Sequence, residues 1–351
     1  MINVIKVVVP SVLTFFLALL ITPIFTHYFY KYKMWKKNPR TESGDITTDD
    51  FAKVHNTKGE LSTPRVGGII IWVSVSLTVF FIYILFIFFP NDLTYKLNFF
   101  SRSQTLVPLG SFILAALIGL SDDLLQIFGK GQYAKDNISY RKVKIACVLL
   151  IGVAIGSWFY FKLDMSTVHI PFGGELSLGI WFIPFFVTVM IATFSTSVID
   201  GIDGLSGGVL VSIFTAYAVI AFVNNQIDIS ALCAVIAGGT LAFLWFNVPP
   251  ARFYMGENGM LGLTVVLSVI AFLTNSVLVL PIIALPLVAT SFSNIIQMIS
   301  YKFFNKHRVF KVAPLHHHFE AIGWSKEKVV MRYWIVSVVF SIIGVIVALI
   351  S

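Results

Sequence analysis

Long apolar runs, each bounded by a short polar stretch, follow one another along the whole chain. A helix needs about 20 predominantly apolar residues to cross ~30 Å of hydrocarbon. Ten runs approach or meet that length: residues 7–30, 67–89, 104–121, 143–160, 179–198, 204–223, 227–246, 260–276, 277–299 and 332–350. The pattern predicts an all-α polytopic membrane protein of about ten helices, forming one integral membrane domain over residues 1–351. The division between the eighth and ninth runs rests on Thr274-Asn275-Ser276, followed by Pro281 and Pro286. The first run is too long for a secretory apolar region and lacks a small-residue cleavage site, so it reads as the first span. Between the fourth and fifth runs, Met165–Phe172 and Leu176–Gly179 flank Gly173-Gly174, which predicts a small β-hairpin with a glycine turn.

Composition supports the membrane reading. Of 351 residues, 57% are hydrophobic and only 12% charged, where a soluble chain carries about 25%. The polar stretches form two alternating sets. One comprises 31–66, 122–144, 199–203, 247–259 and 300–332, and it holds 21 of the 25 Lys and Arg residues. The positive-inside rule places that set in the cytoplasm, with the N- and C-termini and the hairpin outside. The net charge of +8 is therefore chiefly a topology signal. No basic helix or base-stacking module accompanies it, so nucleic acid is not an expected partner. Cys147 and Cys233 lie inside apolar runs and read as small buried hydrophobes.

Ionisable residues at span ends cost desolvation energy, so their placement calls for a reason. Four groups fall on the predicted cytoplasmic face. Asp122-Asp123 close the third run. Asp200 and Asp203 lie in the glycine-rich stretch Val198–Gly208. Glu257 lies in the loop after Phe246-Asn247, and His316-His317-His318 form a polar loop late in the chain. Each has an ordinary alternative: a solvated helix terminus, a tight turn or a hydrated loop. Their shared location argues against coincidence. Carboxylates gathered around one site need a cation, and hard oxygen ligands favour Mg²⁺, or Mn²⁺. The glycines at 201, 204, 207 and 208 allow close backbone approach to an anion. The expected ligand is a diphosphate.

These motifs resemble those of the polyprenyl-phosphate N-acetylhexosamine-1-phosphate transferase superfamily (glycosyltransferase 4). The resemblance covers nearly the whole chain. It rests on Gly119-Leu-Ser-Asp-Asp123, Asp200-Gly-Ile-Asp-Gly-Leu205, Phe246-Asn247 through Met255-Gly256, and Thr63-Pro-Arg-Val-Gly-Gly68. The unbroken histidines in Ala313–Glu320, followed by Gly323-Trp324, are most similar to the muramoyl-pentapeptide branch. The resemblance implies transfer of phospho-N-acetylmuramoyl-pentapeptide from its UDP conjugate to undecaprenyl phosphate. The products would be lipid I and UMP, the cation Mg²⁺, and the location a bacterial inner (plasma) membrane, with the site facing the cytoplasm. The alternatives are a transferase of the same superfamily using UDP-GlcNAc or a related sugar and, more distantly, a transporter.

By the same resemblance, Asp122, Asp123, Asp200 and His316, His317 and His318 are catalytic positions. One of the Asp122-Asp123 pair would be a base for the acceptor phosphate, or a carboxylate would attack the diphosphate itself. Asp200 and Glu257 would hold the metal. Lys58 (with His55), Ser197, Asp203, Asn247, Tyr254 and Gln297 match substrate-binding positions, Asn247 and Tyr254 at the uracil. Three residues depart from the pattern: Ser197 stands for Asn, Glu257 for Asp, and Met260 for a small residue expected to leave room in the pocket. Homodimers are common among membrane enzymes of this kind, and the periodicity nominates no face for one.

Overall fold

The computed structural model describes residues 2–35, 62–101, 104–129 and 138–351, the side chains of 138–141 excepted. Lys58 and His55 lie outside the described residues. The elements in chain order are α1 (Ile2–Lys31), α2 (Gly68–Phe88), α3 (Asp92–Leu97), α4 (Leu106–Phe128), α5 (Ile138–Lys162), β1 (Thr167–Ile170), β2 (Gly174–Ser177), α6 (Phe182–Ser195), α7 (Leu205–Val223), α8 (Ile227–Asn247), α9 (Gly256–Leu273), α10 (Leu280–Ile283), α11 (Leu285–Phe303), α12 (Leu315–Ala321) and α13 (Lys326–Ile350). Among the described residues, nine helices are long and apolar enough to cross a membrane.

The ninth predicted run is not a straight helix. It is a pair of pieces, Val277–Ile283 and Leu285–Phe303, bent by 84°. Pro286 has no N–H to continue the ladder, so the helix stops at Ile283 and restarts with Pro286 in its first turn. The pair still carries the chain from one end of the bundle to the other. The turn before it, at Asn275, donates to Glu175 of the hairpin at 3.2 Å. Near its far end, Gln297 clamps the backbone of Phe310 ahead of the histidine helix. The two strands pair antiparallel with Val168 opposite Leu176, as the glycine turn predicts.

Burial grades across the bundle. The most apolar window of α9 is 89% buried, whereas those of α1 and α13 are 17% and 22% buried. Helices α7, α8 and α9 therefore form the hub, and the peripheral helices turn apolar faces outward. In lipid the hydrophobic effect does not hold helices together, so close packing and buried hydroxyls do more of that work. Thr14 of α1 hydrogen-bonds Thr78 of α2 at 2.9 Å. Ser11 donates to the carbonyl of Ala234 on α8 at 2.6 Å. Lys6 pairs with Asp228 at 2.6 Å, and Gln226 just before it bonds the carbonyl of Leu273. The start of α1 thus lies at the hairpin end of the bundle.

Three boundaries differ from the sequence pattern. Helix α4 runs on to Phe128, so Asp122 and Asp123 sit inside a helix rather than beyond its end. Helix α9 starts at Gly256, so Glu257 is in its first turn and not in a loop. The histidines occupy a short helix, α12, not an open loop. The six-residue α3, capped by Asn91, has no counterpart among the predicted runs.

Candidate functional site

The site begins where α4 crosses the start of α9. Gly119 makes the crossing possible, because a Cβ there would come within 2.4 Å of the Glu257 carbonyl oxygen. One turn later, Asp123 caps α9 from outside. Its carboxylate accepts the backbone N–H groups of Glu257 (3.1 Å) and Asn258 (2.9 Å) and the Asn258 side-chain amide (2.8 Å). A carboxylate is well suited to these otherwise unpartnered N–H groups. The motif at 63–68 lies alongside: Tyr254 N–H donates to Pro64, and Gly67 and Gly68 donate back to Tyr254 and Met255. Arg65 lies within electrostatic reach of Asp123, and its buried Nη1 has no hydrogen-bond partner.

Asp122 faces a different neighbourhood. Lys144, from α5, reaches its Oδ2 at 3.0 Å and Glu257 Oε1 at 2.9 Å. Gln126 donates to Oδ1 at 3.1 Å. One ammonium thus bridges two predicted site carboxylates from two helices. The second oxygen of Glu257, Oε2, is buried with no hydrogen-bond partner. Lys144 and Arg65 were absent from the residues predicted for the site. A lysine just inside an apolar run was the available signal for Lys144.

The second half of the site is the glycine-rich turn. The 3₁₀ turn Thr196–Ile199, which carries Ser197, packs against both α9 and α11 and leads into Asp200. Asp200 accepts from Ser206 Oγ at 2.8 Å. Asp203 accepts from the backbone of Ala251 at 3.2 Å. Burial raises the Asp203 carboxyl above its usual range, opposed by that bond and by the charge of Lys326. Asn247 is buried and locks the turn: it accepts from Gly204 N–H and donates to the Phe253 carbonyl, both at 2.9 Å. These two bonds make Asn247 a brace between loops. Tyr254, the other residue predicted near the base, is half-buried beside it.

The histidine helix is seated on this turn. A Cβ on Gly201 would lie 2.4 Å from His316 Nε2 and 3.0 Å from His317 Nε2, so only glycine fits there unless the rings move. The three imidazoles differ in state. His316 is fully buried, neither ring nitrogen has a hydrogen-bond partner, and burial, then His317, hold it well below its usual pKa. His317 Nδ1 meets the buried Glu320 carboxylate at 2.6 Å, which places its proton on Nδ1. His318 Nδ1 accepts from Lys311 N–H at 3.2 Å, which places its proton on Nε2. Burial, and then Lys311, lower the His318 pKa. Gln297, predicted to contact substrate, is buried, and both ends of its amide bond Phe310.

Residues 105–275 match the family model described as Glycosyl transferase family 4. Relatives named phospho-N-acetylmuramoyl-pentapeptide-transferase align over almost the full chain. The relative from Caldanaerobacter subterraneus subsp. tengcongensis is 32% identical, covering 95% of this chain and 96% of its own. That from Clostridium perfringens is 32% identical, covering 97% and 98%. One from a Thermoanaerobacter species is 33% identical, covering 95% and 96%. The chain belongs to the phospho-N-acetylmuramoyl-pentapeptide-transferase family. Of its three departures from the family's sequence pattern, Met260 is absorbed by packing. It is 2% exposed and belongs to the apolar core. Glu257 keeps its charge and spends one oxygen on Lys144. Ser197 remains half-buried in the turn that leads to Asp200, whose N–H bonds its carbonyl at 3.2 Å.

Proposed function

We propose that the protein transfers phospho-N-acetylmuramoyl-pentapeptide from its UDP conjugate to undecaprenyl phosphate on the cytoplasmic face of the membrane. An oxygen of the acceptor phosphate attacks the phosphorus that bears the sugar. One P–O bond forms, the P–O bond to the UMP phosphate breaks, and its electron pair leaves on UMP. The lipid product is lipid I. The observation that carries this reading, beyond the family, is the seating of His316 and His317 on Gly201 beside Asp200, in a chain whose Lys144 also joins Asp122 to Glu257. Such a set offers cations and imidazole N–H groups to phosphates and carboxylates to a metal or a proton.

The roles divide by hydrogen bonding. Asp123 spends its oxygens on α9 and acts as a positioning residue for Glu257. Asp122 and Asp200 are the carboxylates assigned to the reacting phosphates. Lys144 offsets negative charge near the diphosphate, and His318, with its proton on Nε2, donates to a phosphate oxygen.

Mg²⁺ is part of the proposal. The unpartnered Oε2 of Glu257 is a hard anionic oxygen of the kind Mg²⁺ selects, with Asp200 as the second ligand. Among the described residues, no three His, Cys, Asp or Glu side chains converge on one point as an ion cage. Mg²⁺ commonly takes only one or two carboxylates and completes its shell with water and substrate phosphate. Bound there, the ion would withdraw negative charge from the diphosphate. The test is direct. Purified protein given Mg²⁺, undecaprenyl phosphate and a panel of UDP-sugars is expected to release UMP with the muramoyl-pentapeptide donor and to form lipid I. UMP release with UDP-GlcNAc alone would reassign the donor, and no UMP from any donor, beside an active relative, would reject the reading.

A further inference from the structure

A preorganised cationic platform stands next to the histidine helix and is used by none of the chemistry above. Phe319, on α12, stacks on Trp324 with ring centroids 4.6 Å apart and planes 14° from parallel. The guanidinium of Arg332 lies over the Trp324 ring, 4.1 Å from its centroid. Lys328 Nζ stands 5.2 Å from the same ring. The stack is held at its base by the Trp324 N–H bond to Phe319 O at 3.0 Å. Among the described residues, no carboxylate pairs with Lys328 or Arg332. The neighbouring acid, Glu327, turns to Ser325 and its own backbone N–H.

The platform adjoins the histidine helix through Phe319, and the helix that carries its cations also meets the glycine-rich turn. Trp334, one turn from Val330, donates to the carbonyl of Gly204 at 3.1 Å. A Cβ on Gly204 would lie 3.8 Å from Val330, and the charge of Lys326 reaches Asp203. Lys326, Val330 and Trp334 share the face of α13 that meets the turn, whereas Lys328 and Arg332 lie on its exposed side, next to Trp324 and the histidine helix. A basic side chain that serves lipid headgroups normally extends its stem towards the interface. Arg332 is instead held over a ring that leads back to the histidine helix. A guanidinium fixed in this way loses little further freedom on binding and offers a planar fork that matches a carboxylate.

We infer that Arg332, supported by Trp324 and Lys328, binds a carboxylate on the peptide arm of the donor. This rests on the donor assigned above, since a pentapeptide attached through its N-terminus presents at least its terminal carboxylate. The site would distinguish a peptide-bearing donor from a simple UDP-sugar without touching the diphosphate.

The test compares two donors, UDP-MurNAc-pentapeptide and the same molecule with its peptide carboxylates amidated. The quantity read is the ratio of their kcat/KM values, from which the fraction of folded enzyme cancels. Wild-type protein is expected to favour the carboxylate donor roughly tenfold, the order of one charge-assisted bond. In Arg332→Ala the ratio should fall to near one, through KM. Arg332→Lys should retain part of it, and Lys328→Ala should lower it less. Wild-type turnover without discrimination overturns this inference alone, while absence of turnover with both donors overturns the proposed function and the inference together. Equal losses for both donors in Arg332→Ala, varying with the anionic lipid content of the vesicles, would assign the platform to headgroup phosphates and overturn it as well.

Discussion

Asp122 and Asp123 are neighbours in sequence with opposite surroundings. The first is bridged by Lys144 to Glu257; the second is committed to the first turn of α9. Their replacement by Asn should separate the two roles. Asp122→Asn removes the charge opposite Lys144 but keeps the shape and leaves Lys144 paired with Glu257, so it should slow turnover by roughly a hundredfold, the lower range for a proton-handling group, with a smaller fall in melting temperature than Asp123→Asn. In Asp123→Asn the new amide N–H₂ must face N–H donors, and charge-assisted bonds are lost at a cost of about 1.5–3 kcal/mol. That variant should both melt earlier and lose turnover. Equal melting behaviour of the two variants would refute the division. From sequence alone the pair read as carboxylates of interest, but their roles did not, because the deciding partners lie 22 and 134 to 135 positions away. Asn247 and Gln297 were named as substrate-binding positions by resemblance, while their brace-like bonding became visible only in three dimensions.

At the scale of elements, the apolar pattern located the membrane helices and missed how the short pieces are built. The histidine segment read as a loop because seven residues are too few for periodicity to register. Helix α12 nevertheless forms directly after Pro314, with His316 and His317 turned inward onto Gly201 and Glu320 one turn on from His317. The start of α9 was misplaced for a related reason: its cap comes from α4 and not from the preceding loop. Contact between α12 and the glycine-rich turn is the element-scale feature on which the proposed site depends most. Gly201→Ala puts a methyl group into the imidazole edge, and the helix must retreat by a fraction of an ångström or more. Because displacement of ~1 Å can cost about a hundredfold in rate, this variant should lose turnover by one to two orders of magnitude. Turnover at the normal rate, with the fold intact by thermal melting, would show that the histidines act away from this turn.

For the whole molecule, the bent pair α10–α11 decides the parity of the topology. The structure joins the hairpin to Asn275 at one end of the bundle, and Lys6, through Asp228 and Gln226, to the neighbouring Leu273. The histidine helix, Asp200 and the start of α13 lie at the other end. Since α9 ends beside the hairpin and α12 sits on Gly201, the bent pair carries the chain between the two ends of the bundle; counted as one span, it raises the candidate spans among the described residues from nine to ten and returns the end of α13 to the hairpin side. The apolar runs and the asymmetry of 21 basic residues against four led to the same arrangement. The charge asymmetry predicts that the histidine end faces the cytoplasm, as the proposed nucleotide donor requires. In a variant lacking Cys147 and Cys233, a single cysteine at exposed Leu176 should react with a membrane-impermeant maleimide in intact cells. One at exposed Lys306, in the loop before α12, should react only after permeabilisation. A cysteine at Ser351 should behave like that at Leu176. Reaction at Lys306 in intact cells would place the histidine end outside, away from any nucleotide donor, and the proposed reaction would fail on topology alone.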